Sequence, residues 1–265
     1  MHITKMQGLG NDYLYVFGEA PENVSEIAKR LSHRHFGIGS DGMVFINPSC
    51  VADFKMRIFN ADGSEALMCG NGIRCVGKYV FDKGYTQKTE ITVETLSGIK
   101  KLSLFPKEGK IKSVRVDMGI PVVEDDLKML VNGEEIALTP VSVGNPHGVI
   151  FVPDAEKAFV EDIGKCISVH PFFPNGVNVE FVSVLGENRL RMRVWERGSG
   201  ITMACGTGAC AGAVAAMKKG FCNSQKPVSV MLDGGELKIE IAETGNVFMT
   251  GPCETVFECD IDLTE

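Results

Sequence analysis

Residues 68–72 read Met68-Cys69-Gly70-Asn71-Gly72, and residues 204–208 read Ala204-Cys205-Gly206-Thr207-Gly208. The spacing from Cys69 to Cys205 is 136 residues, and the same shift lays Phe54 to Gly84 over Leu190 to Gly220 without a gap. It matches Met56 with Met192, Arg57 with Arg193, Gly70 with Gly206, Gly72 with Gly208, Lys83 with Lys219 and Gly84 with Gly220. It also sets Met43-Val44-Phe45-Ile46 over Val179-Glu180-Phe181-Val182, Ser97-Gly98 over Asp233-Gly234, and Gly109 over Gly245. Gly10-Asn11 falls over Gly144-Asn145 at a shift two residues smaller, so the repeat starts near the N-terminus with a small indel. An internal repeat of this length means two homologous halves.

Pattern within each half predicts the elements. Phe54, Met56 and Ile58 alternate with Lys55 and Arg57, and Leu190, Met192 and Val194 alternate with Arg191 and Arg193, the period of a half-buried strand. After each cysteine-glycine pair stands a good N-cap type, Asn71 or Thr207, and then a helical stretch that closes on lysine and glycine. The second of these, Gly208 to Lys219, is apolar on nearly every side, which predicts a buried helix. Further strands are predicted over 90–96, 99–105, 112–118, 148–152, 179–185, 228–232, 236–242 and 247–250. The predicted fold is α/β of the α+β type, two pseudo-symmetric strand-rich domains each wrapped around a central helix. The boundaries expected are 1–118 for the first half, with the strand from Glu254 returning residues 254–265 to it, and 119–253 for the second.

Composition narrows the function. The chain has 265 residues, 44% hydrophobic and 23% charged, with a net charge of −7 that gives no overall positive field for nucleic acid. No apolar run approaches the roughly 18 residues of a membrane helix. The opening from Met1 to Gly8 reads as a strand without the parts of a secretory signal, so the expected address is cytoplasmic. Nine cysteines are an odd number and too few for a disulfide scaffold at this length, which predicts reduced thiols.

A cysteine at a helix N-terminus has its thiolate stabilised by the dipole and the first-turn N–H groups, and becomes a usable base near neutrality. The flanking glycines let a carboxylate approach those groups. Two such sites related by a repeat predict one substrate in a cleft between the halves, one cysteine removing a proton and the other delivering one to the opposite face. Cys50, Cys75, Cys166, Cys210, Cys222, Cys253 and Cys259 read as small buried residues. The cysteine spacings lack the pattern of a zinc ribbon, so no metal is expected. Gly37 to Gly42 has dinucleotide-loop spacing but precedes a strand, and reads as a tight loop.

The segments Lys5 to Tyr13, Asn60 to Glu65, Met68 to Gly72, Gly144 to His147, Asn178 to Phe181, Glu196 to Gly198 and Ala204 to Gly208, in this order over the whole chain, resemble the diaminopimelate epimerase family. The resemblance implies cofactor-independent interconversion of LL- and meso-diaminopimelate, for lysine and peptidoglycan precursor synthesis. Cys69 and Cys205 are similar to the family's two acid/base thiols. The resemblance further implies that the backbone of Gly70, Asn71, Gly206 and Thr207 holds the reacting carboxylate. Asn11, Asn60, Asn145, Asn178 and Arg197 then hold the distal amino-acid end, and His147 and Glu196 lie beside the reacting centre. It implies no cofactor, and a homodimer. Gln7 and Tyr13 stand where His and Phe are common in the family, and Gly42 where many members carry a substrate-touching Gln. The alternatives are a cofactor-independent racemase of another amino acid, such as histidine or glutamate, and a non-catalytic small-molecule binding protein of the same fold.

Overall fold

In the computed structural model, which describes residues 1–263, the chain divides into two units, 1–116 with 251–265 and 117–250. The first opens with β1 (His2–Gly8) and β2 (Asn11–Phe17), followed by α1 (Val24–Ser32), β3 (Gly42–Pro48), β4 (Phe54–Asn60) and the short β5 (Glu65–Ala66). Then come α2 (Gly70–Asp82), β6 (Glu90–Thr95), β7 (Gly98–Lys107) and β8 (Lys110–Gly119). The second unit holds β9 (Val122–Val123), β10 (Leu127–Val131), β11 (Glu134–Ser142), β12 (Pro146–Phe151), α3 (Val160–Ser168), β13 (Asn178–Gly186), β14 (Arg189–Glu196) and β15 (Gly200–Ile201). It continues with α4 (Gly206–Lys218), β16 (Val228–Leu232), β17 (Gly235–Ile241) and β18 (Val247–Pro252), and the final strand, β19 (Glu254–Asp260), pairs with β1 in the first unit.

The pairing repeats strand for strand. In the first unit the order is β19-β1-β2-β3-β4-β6-β7-β8, with β2–β3 and β4–β6 parallel and the rest antiparallel. In the second it is β10-β11-β12-β13-β14-β16-β17-β18, with β12–β13 and β14–β16 parallel and the rest antiparallel. Phe59 opposite Glu65 recurs as Trp195 opposite Ile201, each pair 136 residues on, so the repeat seen in sequence is a repeat of register. Strands β19 and β10 occupy matching places beside β1 and β11, although one comes from the end of the chain and the other from its middle.

Each parallel pair needs a crossover, which a hairpin turn cannot provide. The helices supply it: α1 between β2 and β3, α2 between β4 and β6, α3 between β12 and β13, and α4 between β14 and β16. The outer helices α1 and α3 were not expected from the sequence, nor was the hairpin β10–β11. Helix α1 buries Val24, Ile27, Ala28 and Leu31 on a cluster with Ile3, Leu14, Met43, Phe45 and Phe59. Helix α3 buries Val160 and Ile167 against Val179, Phe181, Met129 and Leu138. The burial of each such aliphatic side chain stabilises the fold by about 1.5–3 kcal/mol.

The central helices differ from expectation at their starts. Asn71 and Thr207 are not the N-caps; Cys69 and Cys205 are, with extended backbone and a thiol that accepts from the N–H of Gly72 and Gly208 respectively. The second central helix therefore begins at Gly206 rather than Gly208. Both helices end as the sequence indicates, on Lys83 and Lys219 followed by Gly84 and Gly220 at positive φ. Helix α4 is buried from Gly208 to Ala216 and touches strands β11 to β14, β16 and β17, the enclosure its all-round apolarity predicts. Of the cysteines read as buried, Cys75, Cys210, Cys222 and Cys253 are so. Cys50 and Cys166 are exposed and Cys259 half-buried, because they lie in a loop beyond β3, on the outer side of α3 and on the edge strand β19. Among the described residues no helix is long and apolar enough to cross a membrane.

Candidate active site

At the mouth of α2 the Cys69 thiol accepts from Gly72 N at 3.3 Å and donates to Asn11 Oδ1 at 3.2 Å. The Asn11 amide is held by its other end, Nδ2 donating to Asp41 Oδ2 at 2.7 Å, so its oxygen faces the thiol. Asp41 in turn is paired with Arg34, which also holds Asp12. The buried Tyr13 hydroxyl hydrogen-bonds with Asn11 and Cys69; burial pushes its ionisation well above the usual phenol range, and the charges of Cys69 and Asp41 push the same way. The N–H groups of Gly70 and Asn71 precede the first intrahelical bond, from Ile73 N to Cys69 O, and so lie at the positive end of the helix dipole.

Asn60 closes β4 and bonds through Nδ2 to Ser64 Oγ at 3.1 Å. It lies opposite Gly42 in the β3–β4 register. A Cβ at Gly42 would lie 2.2 Å from Phe59 O and 2.9 Å from Tyr13 Cε1. The backbone here admits no side chain, so the contact read as missing at Gly42 is excluded by the packing of Tyr13 and β4.

The second unit builds a more highly charged counterpart. The Cys205 thiol accepts from Gly208 N at 3.4 Å and stands 3.6 Å from Thr207 Oγ1. Asn145 Nδ2 donates to that hydroxyl at 3.3 Å, and its Oδ1 is 3.1 Å from His147 Nε2. His147 Nδ1 is 2.7 Å from Glu180 Oε1, both side chains fully buried. Glu196 takes a short hydrogen bond from Thr202 and another from the Cys205 thiol. Burial pushes the Glu196 carboxyl up. Burial also pushes the Cys205 thiol well above its usual range, and the charges of Glu196 and Glu180 add to it against the pull of Thr207 and Gly208. A thiol so placed keeps its proton at neutral pH.

Asn178 and Arg197 form a neighbouring group. Asn178 Oδ1 accepts from Arg197 N at 2.8 Å, and Arg197 Nη1 donates to Asn175 O at 2.6 Å. With Trp195 and His170, Arg197 lines an open cavity of about 700 Å³.

The thirteen residues read from sequence thus fall into two groups, one in each unit. Cys69, Gly70, Asn71 and Asn11 stand together, with Asn60 at the neighbouring strand end. Cys205, Gly206, Thr207, Asn145, His147 and Glu196 stand together, with Asn178 and Arg197 beside them. Two participants carried no role in the sequence reading. Tyr13 was noted only as a departure from the family, and Glu180 only as a residue within a quoted segment. A lone carboxylate in the apolar run Val179 to Val182 was the available signal. Among the described residues no group of three or more His, Cys, Asp or Glu could hold a metal ion.

Known proteins resemble this chain along its whole length. The family model for diaminopimelate epimerase matches residues 3–124 and 139–256. A diaminopimelate epimerase of Acetivibrio thermocellus is 53% identical, with 100% of each chain covered. One of Methanococcus maripaludis is 50% identical over 99% of this chain and 100% of its own. Among solved structures, a phenazine biosynthesis protein of the PhzF family from Bacillus anthracis shares the fold, with a TM-score of 0.79 at 18% identity over 99% of both chains. The chain belongs to the diaminopimelate epimerase family and is an isomerase of the epimerase type.

Proposed function

We propose that the chain interconverts LL- and meso-diaminopimelate without a cofactor, by proton transfer between two thiols. The observation that carries this reading is the matched pair of cysteine N-caps, Cys69 on α2 and Cys205 on α4, each with its thiol at the positive end of a helix. Both address one α-carbon from opposite faces. The sulfur that starts as thiolate takes the α-proton and becomes a thiol, and the other thiol gives its proton to the opposite face and becomes the thiolate. Atoms and charge balance, and the configuration inverts. Cys205, held protonated by its burial and by Glu196 and Glu180, is the donor of the pair, and Cys69 becomes the acceptor once it gives up the proton that it shares with Asn11 Oδ1.

The first-turn amides of Gly70, Asn71, Gly206 and Thr207 take the α-carboxylate, where donors aimed at developing charge contribute most to rate. His147 and Glu196 stand beside the donor thiol and tune it. Asn11, Asn60, Asn145, Asn178 and Arg197 take the distal end, carboxamides for the ammonium and a guanidinium for the carboxylate. The same reading carries a role in lysine and peptidoglycan precursor supply, a reducing cytoplasm for the nine free thiols, and a homodimer.

The test is solvent deuterium incorporation into LL-diaminopimelate, followed by NMR and chiral separation, with reductant and no added pyridoxal phosphate. Exchange at one α-carbon with formation of the meso isomer is expected. Exchange confined to another amino acid would replace the substrate, and full turnover by Cys69→Ala would remove the two-thiol mechanism.

A further inference from the structure

Strand β13 carries a carboxylate where its surroundings are apolar. Glu180 is 0% exposed between Val179 and Phe181, themselves buried, and an ionised carboxylate in such a place is costly unless partnered. Its Oε1 has a partner, His147 Nδ1 at 2.7 Å; its Oε2 has none among the described residues. The carboxylate is packed against the first turn of α4, since a Cβ at Gly208 would lie 2.6 Å from Oε1.

The scaffold does not require a charge there. In the first unit the matching position is Val44: it lies opposite Tyr15 on β2 and Ile58 on β4, as Glu180 lies opposite Val149 on β12 and Val194 on β14. The residue matching His147 is Tyr13, by the shift that relates Asn11 to Asn145. The same fold is therefore built once with Tyr13 and Val44, and once with His147 and Glu180. Only the second version has an acid behind an imidazole, and it ends in a chain that runs from Glu180 through His147, Asn145 and Thr207 to the Cys205 thiol.

We propose that Glu180 is a positioning residue for the epimerisation: by accepting from His147 Nδ1 it fixes the plane of the ring, and turns Nε2 toward the Asn145 amide oxygen beside Cys205. The inference rests on the function proposed above, in which His147 serves the donor thiol. An imidazole whose Nδ1–H is committed to a carboxylate keeps one orientation, the role an acid plays behind the histidine of a hydrolytic triad. The groups facing this dyad are Cys205 from α4, Glu196 from β14 and Asn145 from the turn before β12. An ionised Glu180 beside Cys205 also helps keep that thiol protonated.

The test uses Glu180→Gln, which keeps the shape and removes the charge, and Glu180→Val, which installs the first unit's residue. Glu180→Gln is expected to lower kcat about 10–100-fold, the size of loss seen when carboxylates that orient metal-bound histidines are removed. KM should stay within about twofold, since no ground-state contact is lost. The alkaline limb of the kcat profile should move to lower pH, because the donor thiol loses a charge that holds its proton. In a His147→Ala background the substitution should add little. Wild-type kcat with an unmoved alkaline limb in folded Glu180→Gln would overturn the proposal, as would independent, multiplying effects in the double variant.

A readout free of turnover separates this from the wider functional reading. Nitrogen-15 NMR of the His147 ring should show the proton on Nδ1 in the wild type and its loss of a fixed position in Glu180→Val. An unprotonated Nδ1 in the wild type would overturn the proposal even if epimerisation is found. A protonated Nδ1 in an enzyme that does not epimerise diaminopimelate would keep the dyad and shift the substrate. If Glu180→Val does not fold, Glu180→Gln carries both measurements.

Discussion

At the scale of single residues, the two thiols are alike in geometry and unlike in surroundings. Cys69 hydrogen-bonds with the neutral Asn11 and Tyr13 and feels the buried Arg74 guanidinium, whereas Cys205 meets the carboxylates of Glu196 and Glu180. The consequence is a division of labour that substitution separates. Cys205→Ser is expected to slow epimerisation by about 10²–10⁴-fold, the usual contribution of a general acid–base group. The isomer whose α-hydrogen faces Cys69 should still exchange with deuterium in retained configuration, which chiral analysis of labelled product reads directly. Arg197→Ala removes a side chain whose Cγ and Cδ lie over Gly176 and whose guanidinium bonds to Asn175 O. A charged hydrogen bond lost at the distal end should raise KM about 10–100-fold with kcat much less affected, which steady-state kinetics checks.

At the scale of elements, the cysteines as N-caps explain why glycine follows each at the third position. The thiol must accept from the N–H of Gly72 or Gly208, and the first turn must lie open to an anion. At Gly208 there is a second constraint: a methyl group would lie 2.6 Å from Glu180 Oε1 and 3.2 Å from the Cys205 sulfur. Gly208→Ala is therefore expected to displace the carboxylate and the thiol, costing about 1–3 kcal/mol of stability from overpacking and lowering kcat. Gly212→Ala, one turn on, meets only Val182 Cγ2 at 3.3 Å and Met192 Sδ at 3.5 Å and should be the milder change. Thermal unfolding and kcat of the two variants make the comparison. The central helices were legible in the sequence because their boundary residues, cysteine-glycine at one end and lysine-glycine at the other, recur in register. Helices α1 and α3 were missed because each is only 9 residues long and starts without a side-chain cap. Their apolar residues become meaningful only once the parallel pairs β2–β3 and β12–β13 demand a crossover.

At the scale of the whole molecule, buried titratable groups limit the pH range of stability on both sides. Burial pushes the Cys75 thiol up from 9.0 to about 11. The unfolded chain then loses its thiol proton before the folded one does, so this group's stabilisation is intact below pH 9 and is lost as pH rises toward 11. The size is about 2–3 kcal/mol, at roughly 1.4 kcal/mol per pH unit, and Cys75→Ala should flatten that part of the alkaline limb. On the acid side, burial would raise Asp12, but hydrogen bonds from Arg34 and Lys5 outweigh it and hold its carboxyl below the usual range. Its stabilisation is present above about pH 4, the unfolded carboxylate value, and is lost as pH falls through the lowered one. Asp12→Asn should weaken that acid dependence, and denaturant unfolding across pH checks both limbs.

The sequence by itself determined the duplication, the strand-rich class, the two buried central helices and the identity of the paired cysteines, because these depend on periodicity and on local signals at element ends. It also determined the family, since motifs distributed over the whole chain in fixed order carry that information. Only the tertiary structure decided which residues surround each thiol. Strand pairing brings Glu180 of β13 to His147 of β12 across 33 positions, and the packing of α2 against β2 brings Asn11 to Cys69 across 58. It also decided that Gly42 excludes a side chain and that the thiols themselves cap the helices. Such facts depend on distances between segments remote along the chain, and a carboxylate's partner or a glycine's nearest neighbour has no local signature.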